Sequence, residues 1–123
     1  PVVLVVDDDE DLRAVICETL RSRGYSVTAA ADGYEALAAI ASGPIDLVLL
    51  DVHMPRKDGF AVLTELNGQY ANLPTIVMSG FLGDDEAAEA IRMGARACLR
   101  KPFRLEVLLT EIEESLPSSR VAR

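Results

Sequence analysis

Short apolar runs and stretches of helical period alternate along the chain. "VVLVV" (2–6) is continuous and β-branched, as in a strand buried on both faces of a parallel sheet. Leu12, Val15, Ile16, Thr19 and Leu20 then recur at helical spacing, and Gly24 stops the pattern. "SVTAA" (26–30) reads as a second strand. Asp32 followed by Glu35 is a capping-box-like start for a helix carrying Leu37, Ile40 and Ala41, and Gly43-Pro44 ends it. "IDLVLL" (45–50) predicts the third strand, and a helix with Phe60, Leu63 and Leu66 on one side follows Asp58-Gly59. "TIVMS" (75–79) predicts the fourth strand. Asp84 is placed to cap a helix with Ala87, Ala88, Ile91 and Met93, closed by Gly94. "RACLR" (96–100) is a short fifth strand, and Leu105, Leu108, Leu109, Ile112 and Leu116 line a last helix. Pro117 and "SSRVAR" read as a tail or linker stump, so the domain is expected over 1–117 and the tail over 118–123.

Strand and helix alternate with short loops and no internal repeat. This predicts an α/β fold: a five-stranded parallel sheet, doubly wound, with helices on both faces. Such sheets bind ligands outside the C-terminal ends of their strands, so function should be written in the residues that follow each strand.

The bulk numbers narrow the partners. The chain of 123 residues suits one domain, and 50% hydrophobic with 26% charged residues is ordinary globular composition. Twenty acidic against twelve basic side chains give a net charge of -8, which argues against a general nucleic-acid surface. Cys17 and Cys98 are far apart, with no CxxC and no histidine cluster, and read as two reduced thiols in a cytosolic core. No apolar run reaches the roughly 18 residues of a membrane span. No signal peptide is visible, and a start at Pro1 suggests a processed or excised chain.

The strand ends carry Asp7, Asp8 and Asp9; Asp51; Ser79 and Gly80; and Lys101 and Pro102. Taken singly, each has an ordinary explanation. An Asp run before a helix is usually a cap, an Asp or Ser-Gly after a strand is usually a turn, and a lone Lys or His53 is usually solvated. Their coincidence at the same rim is what points to chemistry. Carboxylates crowded from two strands repel, and a hard divalent cation relieves this. Oxygen-only ligation suits magnesium, Mg²⁺, better than zinc. Lysine and serine opposite could hold phosphate-type oxygens, and a strand-three carboxylate could act as nucleophile toward phosphorus.

Four stretches, "VLVVDDDEDLR", "DLVLLDVHMPRKDGF", "LPTIVMSG" and "GARACLRKPF", together resemble the response-regulator receiver domain of two-component signalling over essentially the whole chain. The resemblance implies a flavodoxin-like strand order, 2-1-3-4-5. It implies that Asp51 is the phosphoacceptor and that a phosphohistidine on a histidine kinase or phosphotransfer protein is the donor. Asp8 and Asp51 would ligate Mg²⁺ directly with the main-chain carbonyl of His53, while Asp7 would act through a water. Ser79 would hydrogen-bond the phosphoryl group, and Lys101 would pair with one of its oxygens. The Lys101-Pro102 bond is expected cis. Met54-Pro55 and Asp58-Gly59 match the loop that shapes the site, with Gly59 expected at a backbone angle other residues avoid. An effector domain, or a homodimer through the face of helix four, strand five and helix five, is the implied output partner, in a cytoplasmic setting.

One position departs from the family pattern. Where relatives commonly carry a switch aromatic, three residues before the lysine, this chain has Cys98. The expected route of the conformational change is therefore the loop "GFLGDD" (80–85), with Phe81 as an alternative aromatic lever. His53 and Phe81 occupy positions that tune phosphoryl lifetime in relatives. Two other readings are weighed. A haloacid-dehalogenase-type phosphatase would use an Asp7-Asp8-Asp9 signature on strand one and turn over a phosphomonoester. A degenerate receiver serving only as an interaction module would accept no phosphate.

Overall fold

The computed structural model describes residues 1–54, 58–80 and 83–116, apart from the Asp84 side chain. Five strands, β1 (Val2–Val6), β2 (Ser26–Ala30), β3 (Leu47–Asp51), β4 (Thr75–Ser79) and β5 (Ala97–Arg100), alternate with five helices. These are α1 (Glu10–Ser22), α2 (Gly33–Ser42), α3 (Gly59–Gln69), α4 (Asp84–Arg92) and α5 (Leu105–Ser115). All strand pairs are parallel, in the order β2-β1-β3-β4-β5. This is the doubly wound arrangement expected from the alternation.

The strands are continuous apolar runs because each face meets a helix layer. Successive side chains point to opposite faces. Leu4, Val6, Val48, Leu50 and Val77 pack with Ala36, Ile40, Val62, Leu63, Leu66 and Ala90 of α2, α3 and α4. Val3, Val5, Leu47, Leu49, Ile76 and Met78 pack with Ile16, Cys17 and Leu20 of α1 and Leu108 and Ile112 of α5. The central strands β3 and β4 are buried at every position. Among the described residues no helix is long and apolar enough to cross a membrane.

Several local expectations are corrected. β3 begins at Leu47 rather than Ile45 and includes Asp51, which pairs with Met78. Asp46 lies outside the ladder, where its carboxylate accepts from the Val2 N–H at 2.7 Å. β5 begins at Ala97, and Arg96 instead donates its N–H to the Thr75 carbonyl at 2.7 Å. The inward face of α4 is Ala87, Ala90 and Met93, whereas Ala88 and Ile91 are exposed. Val15 and Ala41 also face solvent, and Cys17 and Ala36 take the inward places. The N-cap of α4 is Gly83, not Asp84. The expected tail, 118–123, together with Pro117, lies outside the described residues.

The α2 start behaves as its sequence predicts, with one change of partner. Asp32 accepts from the Glu35 N–H at 2.9 Å, and the Glu35 carboxylate accepts from the Ala31 N–H at 2.8 Å.

Candidate functional site

β1 and β3 are neighbours in the sheet, but the chain leaves them toward opposite faces. The crevice between their C-terminal ends is the topological switch point of the fold. Asp7 directly follows β1, and Asp51 is the last residue of β3. One carboxylate oxygen from each of Asp7, Asp8 and Asp51 lies within 4.8 Å of the other two. Asp7 and Asp51 are buried and Asp8 is exposed. The third acid of the run is used differently. Asp9 caps α1, accepting from the N–H groups of Asp11 at 3.1 Å and Leu12 at 3.2 Å.

The two buried carboxylates are held in the same way. Asp7 Oδ1 accepts from the Asp9 N–H at 2.9 Å, and Asp51 Oδ1 accepts from the His53 N–H at 3.0 Å. Each is a side chain turned onto the backbone two residues ahead. Their other oxygens face one cation: Lys101 Nζ lies 2.8 Å from Asp7 Oδ2 and 3.4 Å from Asp51 Oδ2. Lys101 follows β5, and its N–H donates to the Ser79 carbonyl at 2.8 Å, which sets it beside the end of β4. The Lys101-Pro102 bond is cis, as expected. Ser79 is buried at that strand end. The structure thus brings Asp7, Asp8, Asp51, Ser79 and Lys101 to one rim.

Among the described residues the charges do not balance inside this rim. Burial pushes the Asp51 carboxyl from 3.8 up to about 6. The His53 N–H opposes this rise, the Asp7 charge adds to it, and Lys101 lowers it again. Burial lowers the Lys101 pKa, but the hydrogen bond to Asp7 and the charges of Asp51 and Asp7 outweigh it, leaving the group above its ordinary value. Among the described residues, three carboxylates against one ammonium leave room for a divalent cation. An all-oxygen donor set fits a hard ion such as Mg²⁺.

Gly59 supports the site for a reason other than the expected one. It has no positive φ. An added Cβ would instead overlap the Val52 main chain and stand 2.5 Å from the Asp51 carbonyl oxygen. Its N–H donates to the Val52 carbonyl at 3.1 Å, so the α3 start packs directly on the strand end carrying Asp51. Met54 is buried in the core cluster that includes Val62 and Leu63 of α3, while Pro55 lies outside the described residues.

Two neighbours of the site carried no role in the sequence reading. Arg13 Nη1 donates to the Asp7 carbonyl at 2.7 Å, pinning the end of β1 to α1. Glu86, in the first turn of α4, lies with Oε2 4.0 Å from His53 Nε2. Cys98 is half-buried and its thiol donates to the Ala87 carbonyl of α4 at 3.7 Å. The proposed lever Phe81 lies outside the described residues.

Comparison with known proteins bears on the family and the fold. A family model described as the response regulator receiver domain matches residues 3–113. The response regulator MprA of Mycobacterium tuberculosis is 42% identical over 114 residues, covering 93% of this chain and 50% of MprA. The transcriptional regulatory protein ZraR of Salmonella typhimurium is 36% identical over 118 residues, covering 96% of this chain and 27% of ZraR. The chain therefore spans half or less of the length of these relatives. Among solved structures, the receiver domain of NtrX from Brucella abortus superposes with a TM-score of 0.88 at 36% identity, covering 93% of this chain and 97% of that one. The chemotaxis protein CheY4 of Vibrio cholerae superposes with a TM-score of 0.87 at 34% identity, covering 94% and 98%.

Proposed function

The chain belongs to the response regulator receiver domain family, and we propose that it is a working phosphorylatable switch with Asp51 as its phosphoacceptor. The observation that carries this reading is the shared cation: Lys101 faces both Asp7 and Asp51 at the rim where β1, β3, β4 and β5 end. Membership sets aside the haloacid-dehalogenase alternative, and Asp9 is occupied as the α1 cap.

In the proposed reaction an Asp51 oxygen attacks the phosphorus of a phosphohistidine. A P–O bond forms, the P–N bond breaks, and the donor imidazole leaves with the electron pair of that bond. Catalysis of this kind is mostly positioning and charge neutralisation. The His53 N–H fixes one Asp51 oxygen and leaves the other facing the rim. Lys101 pairs with a phosphoryl oxygen, and the Ser79 hydroxyl donates to another. Asp8, Asp51 and the His53 carbonyl would hold Mg²⁺, with Asp7 acting through a water. Bound there, the ion supplies positive charge against the incoming phosphoryl oxygens.

A histidine kinase or phosphotransfer protein is the proposed donor, acting in the cytoplasm. Beside Lys101 lies an apolar groove lined by Asp9, Leu12, Val15, Pro102, Phe103 and Leu105. It offers a donor a seat next to Asp51 and accounts for the outward-facing Val15. Output would pass to an effector domain or a second receiver, and the chain's own chemistry would be limited to taking up and losing its phosphoryl group. Uptake from acetyl phosphate with Mg²⁺, lost in Asp51→Asn, is the test. A wild-type chain that takes up none from any donor would instead be an interaction module.

A further inference from the structure

One carboxylate links the two loops that leave the site. Glu86 Oε1 accepts from the Gly83 N–H at 3.3 Å, so it holds the connection that follows Ser79. Its Oε2 lies 4.0 Å from His53 Nε2, so it also meets the connection that follows Asp51. His53 is tied to Asp51 itself through the main-chain hydrogen bond at 3.0 Å. The His53 and Glu86 side chains are 40% and 45% exposed, and a pair this open adds little to stability. Its value is positional.

We propose that Glu86 is a positioning residue that makes the His53 loop and the head of α4 respond as one unit. Occupancy of Asp51 then reaches α4 through His53 and Glu86 rather than through a rotating side chain on β5. This rests on the reading of Asp51 as acceptor. One change reaches Glu86 when Asp51 becomes an acyl phosphate. The acyl oxygen left to the His53 N–H is neutral, so that hydrogen bond loses its charge assistance and the His53 loop relaxes. A ligand shifts a two-state equilibrium only through contacts that differ between the states, and this contact differs. The β5 side has no comparable lever. Cys98 is short, and its thiol is already turned to the Ala87 carbonyl.

The test uses the full chain as wild type, Glu86→Ala, His53→Ala and the double variant. Amide shifts are recorded with Mg²⁺ at full occupancy by beryllofluoride, and phosphoryl uptake from acetyl phosphate is measured alongside. Glu86→Ala should take up phosphate as wild type does. The mimic should shift the amides of residues 83–92 in wild type. Either single replacement should cut those shifts at least twofold, and the double should lose no more than the singles. His53→Ala leaves the Glu86–Gly83 hydrogen bond in place, so a loss there cannot come from uncapping α4. Undiminished α4 shifts in His53→Ala, or losses that multiply in the double variant, overturn the proposal while leaving Asp51 as acceptor. No response and no uptake in wild type overturns the reading of Asp51, and this inference with it.

Discussion

Lys101 stands closer to Asp7 than to Asp51: its Nζ is 2.8 Å from Asp7 Oδ2 and 3.4 Å from Asp51 Oδ2. Without metal, this ammonium is the countercharge for two buried acids. In the proposed reaction a bound cation would take over that role and leave Lys101 free to meet a phosphoryl oxygen. Lys101→Gln should therefore destabilise the metal-free protein by about 1–3 kcal/mol, the cost of leaving buried charges unpaired. The deficit should narrow with saturating Mg²⁺. Urea unfolding with chelator and with Mg²⁺ checks both parts. An unchanged or higher stability without metal would count against Lys101 as the countercharge.

The Asp51 carboxyl gives a pH signature. Its pKa rises from 3.8 to about 6, chiefly through burial. A raised carboxylate pKa means that the folded state binds the proton more tightly than the unfolded chain. Ionisation therefore costs stability progressively between about pH 4 and pH 6, and the full cost is present above that window. The rise corresponds to roughly 2–3 kcal/mol. Asp51→Asn should make the metal-free protein more stable near neutral pH and flatten its stability profile across the window. Parallel wild-type and variant profiles would contradict it.

Mg²⁺ should raise the melting temperature, because a ligand of the folded state alone stabilises it by about 2.7 kcal/mol at a hundredfold excess over Kd. Asp8 is the exposed member of the acid cluster, and in the proposed ligand set it would be the first to meet an incoming ion. Asp8→Asn should shrink the shift. Equal Mg²⁺ stabilisation in both proteins would remove Asp8 from the ligand set.

Gly59→Ala places a methyl group against the Val52 main chain and the Asp51 carbonyl. The strand end must move, so stability should fall by about 1–3 kcal/mol, and phosphoryl uptake should slow because Asp51 moves with it. Thermal unfolding and uptake rate measure the two effects. A variant matching wild type in both would show that the contact relaxes without consequence.

The strands were readable where local pattern and tertiary role coincide. "VVLVV" and "TIVMS" have the observed bounds because every residue in them joins the ladder. Ile45 is equally apolar but packs against the core without joining the ladder, and Asp46 spends its carboxylate on the Val2 N–H, so β3 starts later than its run. Helix faces were harder where small residues crowd. In α4 both 87–90–93 and 88–91 keep helical spacing, and only packing against β5 selects the first. The rim was legible because parallel strands deliver their last residues to one edge. The Glu86–His53 contact was not, because it joins positions 33 apart (86 − 53) across two different connections. Gly59 was rightly singled out for a wrong reason: its need is space, not a left-handed backbone.

The most direct measurement is the site of phosphoryl attachment after incubation with Mg²⁺ and acetyl phosphate, read by mass spectrometry of proteolytic fragments. One phosphoryl group should appear on the fragment containing Asp51, be absent without Mg²⁺, and be absent from Asp51→Asn. Modification at any other residue, or uptake by Asp51→Asn at the wild-type level, would contradict the assignment of Asp51.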